Sequence, residues 1–245
     1  MNATQKAGSF QFKQFSIKQD ECTMKVGTDG VLLGAWASVD DANHILDIGA
    51  GTGVIAIMLG QRTQDSTAKV HAVEIDEKAA AQAKENMQAT DWSARMELYQ
   101  ESIQDYSRKS DLKYDLIVSN PPFFSGGTFS HNQDRNDVRH TIKLPHGDLL
   151  IAIRRLLSKQ GRFCVVLPLI EGLRFQEMAG EYSLYCTKKT KVKSKADKGV
   201  ERLLLQFEWD DQPEQVDELV IQHEGRNDWT EAYIGLTRDF YLKMP

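Results

Sequence analysis

His44-Ile-Leu-Asp-Ile-Gly-Ala-Gly-Thr-Gly-Val-Ile-Ala-Ile-Met-Leu-Gly-Gln61 is the stretch on which the fold turns. Its first part, His44 to Ile48, is a short apolar run that reads as a buried strand. Gly49, Gly51 and Gly53 follow, and Val54 to Gln61 is apolar enough for a buried helix. Downstream, Lys69 to Ile75 is β-branched and alternating, which predicts a second strand. Glu77 to Ala89 is rich in Ala, Lys, Glu and Gln and predicts a helix. Arg95 to Tyr99 reads as a third strand, and Tyr114 to Ser119 as a fourth, stopped by Pro121 and Pro122. Asp148 is expected to cap a helix running through Leu157, and Gly161 to break the chain into a strand over Arg162 to Leu167. This rhythm predicts an α/β fold with parallel strands and crossover helices. In such a sheet ligands bind beyond the carboxyl ends of the strands. The chemistry-bearing residues of this chain stand just after predicted strands.

Gly49 and Gly51 permit a tight turn and let a ligand approach the backbone closely, and Gly53 allows close contact at the helix start. Val54 stands where the dinucleotide fingerprint G-x-G-x-x-G requires its last glycine, so the loop does not suit a pyrophosphate. Glu74 ends the second predicted strand about twenty residues on, where an acid can accept from both hydroxyls of a ribose. A tight strand-to-helix turn with surface acids explains the glycines alone but not the whole set. Preceded by Asp47, the loop resembles that of methyltransferases. The resemblance implies that it packs against the methionine part and ribose of S-adenosylmethionine, with Asp47 serving the ammonium group.

Asn120-Pro-Pro-Phe123 follows the fourth predicted strand. It is similar to the N-P-P-[YFW] motif of the amino-methyltransferases, which modify adenine amines, guanine amines or a glutamine amide. An exocyclic amine is a poor nucleophile because its lone pair is delocalised. Two acceptors on its hydrogens draw the nitrogen toward a tetrahedral state and free that lone pair. The resemblance assigns these roles to the Asn120 side-chain oxygen and the Pro121 carbonyl. Pro121 and Pro122 hold the loop rigid before substrate arrives. Phe123 offers a stacking face, worth about 1–3 kcal/mol for a base. The competing reading is a Pro-Pro turn that merely ends a strand.

Three further segments narrow the resemblance. Lys25 to Trp36 resembles a segment lying over the cofactor, with Thr28, Asp29 and Gly30 near its methionine end. Arg139-His140 resembles a pair in one bacterial subgroup, and the Lys-rich tail agrees with it. From Phe12 to about Leu205 the chain resembles the bacterial tRNA adenine-N6 methyltransferases that act beside the anticodon of a valine tRNA. This implies a Rossmann-like class I methyltransferase fold, with a mostly parallel sheet and helices on both faces. It also implies S-adenosylmethionine as cofactor and tRNA as partner. Many relatives carry Asp after the third strand to bind the cofactor adenine. Here the stretch reads Gln100-Glu-Ser-Ile103, so Ser102 or Glu101 takes that place. Residues 1–42 are expected to form an extension covering the cofactor site, and 43–245 the methyltransferase domain with its basic segment. Phe10, Phe12, Phe15 and Ile17 alternate with polar residues, as a strand pair capping the site would.

The net charge of −5 argues against nucleic-acid binding, but its distribution does not. Lys188, Lys189, Lys191, Lys193, Lys195, Lys198 and Arg202 cluster together, and a local basic stretch can bind phosphates whatever the global charge. Lys188, Lys189, Lys191 and Lys193, with Arg139, are the expected RNA contacts; the bland alternative is an exposed edge strand kept soluble by lysines. Ser125 to His146 is long, polar and rich in His and Arg, as expected of a lid that meets RNA or of a solvated loop. Cys22, Cys164 and Cys186 show neither metal nor disulfide spacing, and the histidines lack helical metal spacing, so no metal site is expected. The longest apolar run, Phe163 to Ile170, is too short for a membrane span. A cytoplasmic monomer is the expectation. A protein-glutamine or rRNA guanine-N2 methyltransferase and a non-catalytic nucleotide-binding module are the competing readings.

Overall fold

The computed structural model describes residues 8–22, 24–122, 144–225 and 227–244. The chain opens with a hairpin, β1 (Ser9–Gln11) and β2 (Ser16–Lys18), followed by helix α1 (Thr28–Trp36). Then come β3 (His44–Ile48), α2 (Val54–Arg62), β4 (Lys69–Glu74), α3 (Glu77–Gln88), β5 (Met96–Gln100), α4 (Ile103–Lys109) and β6 (Tyr114–Ser119). Beyond the undescribed segment lie α5 (His146–Leu156), β7 (Leu157–Pro168), α6 (Leu169–Glu181), β8 (Tyr185–Lys195), β9 (Arg202–Glu208), β10 (Gln215–Gln222) and α7 (Glu231–Thr237).

Eight strands form one sheet in the order β10-β8-β9-β7-β6-β3-β4-β5. All neighbours pair in parallel except β9, which runs antiparallel to β7 and β8. One apolar cluster joins one face to α1, α2 and α7; a second joins the other face to α4, α5 and α6. From β3 the chain crosses through α2 to β4 on one side, while β6 pairs on the other. The crevice of this sheet therefore opens beyond the carboxyl ends of β3 and β6. The Ser119 hydroxyl donates to the Ile48 carbonyl at 2.9 Å, locking those two ends together.

Several expectations are corrected here. Asp148 does not cap α5: the cap position is Pro145, and the Asp148 carboxylate accepts from the Gln104 amide at 3.1 Å. Gly161 lies inside β7, which starts at Leu157 directly after α5. The strand pair near the N-terminus forms, but Phe12, Phe15 and Ile17 are buried in the core, Phe12 against Tyr241 and Phe15 against Trp92. Asn86 of α3 fastens it, accepting from the Lys18 N–H and donating to the Lys18 carbonyl, each at 2.9 Å. Nor is β8 an edge strand, because β10 pairs along nearly its whole length.

Candidate functional site

The loop after β3 is held in left-handed backbone at Gly49 (φ 74°), Gly51 (φ 53°) and Gly53 (φ 80°). In that conformation a Cβ is strained at all three. The three differ in what lies beside them. A Cβ on Gly53 would stand 3.3 Å from the Ala83 Cβ of α3, so Gly53 lets two helices meet. Nothing lies within 4 Å of a Cβ built on Gly49 or Gly51, and both line a cavity of about 560 Å³. That space beside bare backbone is what a ligand lying on the loop requires.

Glu74, at the end of β4, faces this cavity. One carboxylate oxygen accepts from the Gly51 N–H at 2.8 Å and the other from the Asp76 N–H at 2.9 Å. A carboxylate has about four acceptor positions, so acceptors remain for ligand hydroxyls. Ser102 also lines the cavity, but its hydroxyl is engaged as the cap of α4: it accepts from the Asp105 N–H at 3.0 Å and donates to the Asp105 carboxylate at 2.7 Å. Glu101, the other expected adenine contact, lies on the same wall and pairs with Lys109 at 2.7 Å. The sequence reading missed the apolar part of this wall, Ile75 and Ile103. Ile75 is 39% exposed just past the end of β4, and because it reads in sequence as the last residue of that strand, no local signal set it apart.

Asp47 differs from its expected position. It is fully buried and lies behind the loop, lining neither this cavity nor the next. One oxygen accepts from the Ala56 N–H of α2 at 3.1 Å; the other has no partner among the described residues. Burial pushes the Asp47 carboxyl up to about 7; the Ala56 N–H opposes the rise and the nearby Glu74 charge adds to it. The folded value lies above the ordinary 3.8, so between those values the folded state binds more protons than the unfolded one. Stability from this group is fully present below about pH 4 and is lost as pH rises through about 7. Asp47→Asn should therefore flatten the fall of Tm with rising pH across this window. Melting curves at successive pH values check it; an unchanged slope would show that Asp47 does not titrate there.

The Asn120 side chain lines both the first cavity and a second of about 520 Å³. Its amide nitrogen lies 3.8 Å from where a Cβ on Gly30 would stand, so the glycine of α1 makes room for it. Among the described residues the Asn120 side chain makes no hydrogen bond. A half-buried amide between two cavities, bonded to none of the described residues, can receive a substrate. Pro121 is buried and Pro122 exposed, and both line the first cavity. Thr28 opens α1 and lines the second. Phe123, Arg139 and most of the expected lid lie outside the described residues.

The lysines are placed less simply than their sequence suggests. Lys188 lies over the Trp36 ring at 5.1 Å, and the Trp36 indole donates to Thr190 at 2.9 Å. Lys189 pairs with Glu214 at 2.8 Å and Lys193 with Glu218 at 2.9 Å. Lys191 is exposed. Because β8 runs parallel to β6 and β7, its Lys195 end shares the edge of the sheet with Asn120. Seven residues separate Lys188 from Lys195, roughly 23 Å of strand.

The His71 ring hydrogen-bonds the Tyr114 hydroxyl at 2.7 Å, and burial lowers its pKa. His146 packs edge-on against Phe175. Among the described residues no group of His, Cys, Asp and Glu side chains is placed to hold a metal. No helix of the described residues is long and apolar enough to cross a membrane.

Residues 26–168 match the methyltransferase small domain family. The tRNA1(Val) (adenine(37)-N6)-methyltransferase of Cronobacter sakazakii is 43% identical, over 96% of this chain and 95% of its own. The Flavobacterium johnsoniae protein of the same name is 44% identical, over 96% of this chain and all of its own. Among solved structures, a protein of Agrobacterium tumefaciens described as a predicted O-methyltransferase aligns with a TM-score of 0.67 at 16% identity, over 86% of this chain and 96% of its own. TYW2 of Pyrococcus horikoshii, solved in complex with MeSAdo, aligns with a TM-score of 0.53 at 16% identity, over 81% and 69%. These two likenesses show the fold alone, a class I methyltransferase fold.

Proposed function

The chain belongs to the methyltransferase small domain family and, within it, to the tRNA1(Val) (adenine(37)-N6)-methyltransferases, and from that premise we propose how its residues methylate the N6 amine of adenine 37 in that tRNA. The observation that carries the reading is Asn120, which lines both cavities at the end of β6 and whose amide bonds none of the described residues.

S-Adenosylmethionine, when bound, supplies a methyl group on a sulfonium sulfur, already an electrophile. Gly49 and Gly51 offer it bare backbone, Glu74 accepts from its ribose, and Ile75 and Ile103 flank its adenine. Ser102 holds α4 in place at that end. Asp47 supports the loop from behind, and Thr28 borders the methionine end. The Asn120 oxygen and the Pro121 carbonyl accept from the two amine hydrogens. As the nitrogen bonds carbon it gains positive charge, and these fixed dipole ends stabilise it without reorganising. Phe123 stacks on the base, which must leave its own stack to reach the site. A proton leaves the nitrogen after transfer, so no side-chain base is assigned. Of the expected cover over residues 1–42, the part from Cys22 to Gly30 borders the site: Cys22 and Met24 line the first cavity, and Lys25 and Thr28 the second.

Arg139 and the lysines of β8 are the proposed RNA contacts, but not equally. Lys195 and Lys198 stand at the catalytic edge, whereas Lys188 and Lys189 stand far from it. Lys195→Ala with Lys198→Ala should therefore weaken tRNA binding more than Lys188→Ala with Lys189→Ala, and reduce the salt slope by about one for each phosphate no longer neutralised. Filter binding across salt concentrations reads this; equal weakening by the two pairs would refute the gradient.

The reaction itself is tested with methyl-labelled S-adenosylmethionine, unmodified bacterial RNA and, separately, soluble protein. Label recovered as N6-methyladenosine in tRNA supports the reading. Label in protein, or in guanine, would instead support the other amine substrates of this motif.

A further inference from the structure

The wall of the first cavity around Ile103 carries three polar side chains, Glu101, Ser102 and Gln104. Two of them are committed. The Ser102 hydroxyl gives its hydrogen to the Asp105 carboxylate and accepts from the Asp105 N–H. The Glu101 carboxylate pairs with Lys109. Gln104 is committed at one end only: its Nε2 donates to the Asp148 carboxylate at 3.1 Å, while its Oε1 bonds none of the described residues.

That one bond settles which way the amide faces. The two ends of a glutamine amide fit the same space, and only their partners choose between them. An ionised carboxylate offers acceptors alone, so the NH2 end must turn to Asp148 and the carbonyl oxygen away from it. The two partners come from different elements, Gln104 from the first turn of α4 and Asp148 from the first turn of α5. Ile103 and Leu149, their chain neighbours, are buried in one apolar cluster, so packing of the two helices holds the pair in place. The result is a neutral acceptor of fixed orientation on a residue that lines the cavity, beside the apolar flanks already assigned to adenine. Such an acceptor distinguishes two purines. The exocyclic amine of adenine donates to it, whereas hypoxanthine has a carbonyl oxygen in that place and would set two acceptors against each other.

We propose that Gln104 reads the adenine of the cofactor, its Oε1 accepting from the exocyclic amine, with Asp148 as its positioning partner. The proposal rests on the cofactor reading of the first cavity and adds the group that selects the base. It assigns that role to neither Glu101 nor Ser102, the two residues expected from the sequence.

The test measures binding by calorimetry on the full chain, with S-adenosylhomocysteine and its deaminated analogue S-inosylhomocysteine as probes. Wild type should prefer the adenine probe by at least about tenfold, the order of one hydrogen bond lost and an acceptor left unpaired. Gln104→Leu should weaken the adenine probe about fivefold and bring the ratio of the two Kd values to within about threefold of one. Asp148→Asn is the second variant, and it preserves the size of the partner. An asparagine both donates and accepts, so the Gln104 amide can pair with it either way round. S-Inosylhomocysteine should then gain about fivefold in affinity, while the adenine probe changes less than about threefold. A residue that merely ties α4 to α5 would weaken both probes equally when replaced, so an unchanged ratio in both variants would overturn the proposal. Loss of the preference in Ser102→Ala or Glu101→Gln, with Gln104→Leu still selective, would give the adenine to those residues instead. Wild type binding both probes equally would overturn it as well. Wild type binding neither would take down the cofactor reading, and the proposal with it, a result distinguishable from equal binding of both.

Discussion

Asn120→Ala is expected to lower kcat about 10²- to 10³-fold, the order seen when one preorganised polar group is removed from around a developing charge. Cofactor Kd should stay within about twofold. The split follows from the position of the residue. Its amide borders both cavities and makes no hydrogen bond among the described residues, so the substitution breaks nothing that holds the glycine loop or Glu74. What disappears is an acceptor needed only when the amine is being drawn tetrahedral. Asn120→Asp is the informative companion: it keeps an oxygen acceptor and should retain more activity than alanine wherever the carboxylate is ionised. Single-turnover rates and calorimetry measure the two quantities. A parallel fall in kcat and cofactor affinity would show that Asn120 holds the cofactor and does not activate the amine.

Glu74→Ala should do the reverse. Each of its oxygens already takes one backbone N–H, from Gly51 and from Asp76, so the carboxylate both shapes the loop and faces the cavity. Hydrogen bonds to a charged group are worth about 1.5–3 kcal/mol each, and losing two at the low end weakens cofactor binding about 100-fold. Turnover at saturating cofactor should fall less than about tenfold, because Glu74 touches no reacting atom. Glu74→Gln, with one carbonyl acceptor left, should fall between. Equilibrium dialysis with labelled cofactor checks the affinity; a collapse of kcat with Kd unchanged would remove Glu74 from the ribose.

The centre of the fold was legible because β3 and β6 are largely buried and read as short apolar runs. His44–Ile48 and Tyr114–Ser119 agree with the structure residue for residue. Helix α1 was not read, because Gly30 and Gly34 depress helix propensity. Packing reverses that preference: a Cβ on Gly34 would come within 2.9 Å of the Met58 sulfur, so the glycine lets α1 lie directly on α2. Strand β10 was missed because Glu218 and Asp217 make it look like a solvated tail; its partners are the lysines of β8, which no local pattern reveals. The same pairing explains why a basic stretch in sequence is not a uniformly basic surface. At the site, the glycines, Glu74 and Asn120 were visible as types at fixed distances from strand ends. Whether Asp47 faces the ligand or stands behind the loop depends on side-chain direction at a strand end, which a strand buried on both faces does not encode.

The decisive measurement compares two transcripts of valine tRNA, one with adenine at position 37 and one with guanine there, each incubated with the protein and methyl-labelled S-adenosylmethionine. The expected result is label in the adenine transcript alone, recovered as N6-methyladenosine at position 37 and absent when Asn120→Ala replaces the wild type. Equal labelling of both transcripts, or label on any atom other than the exocyclic amine, would contradict it.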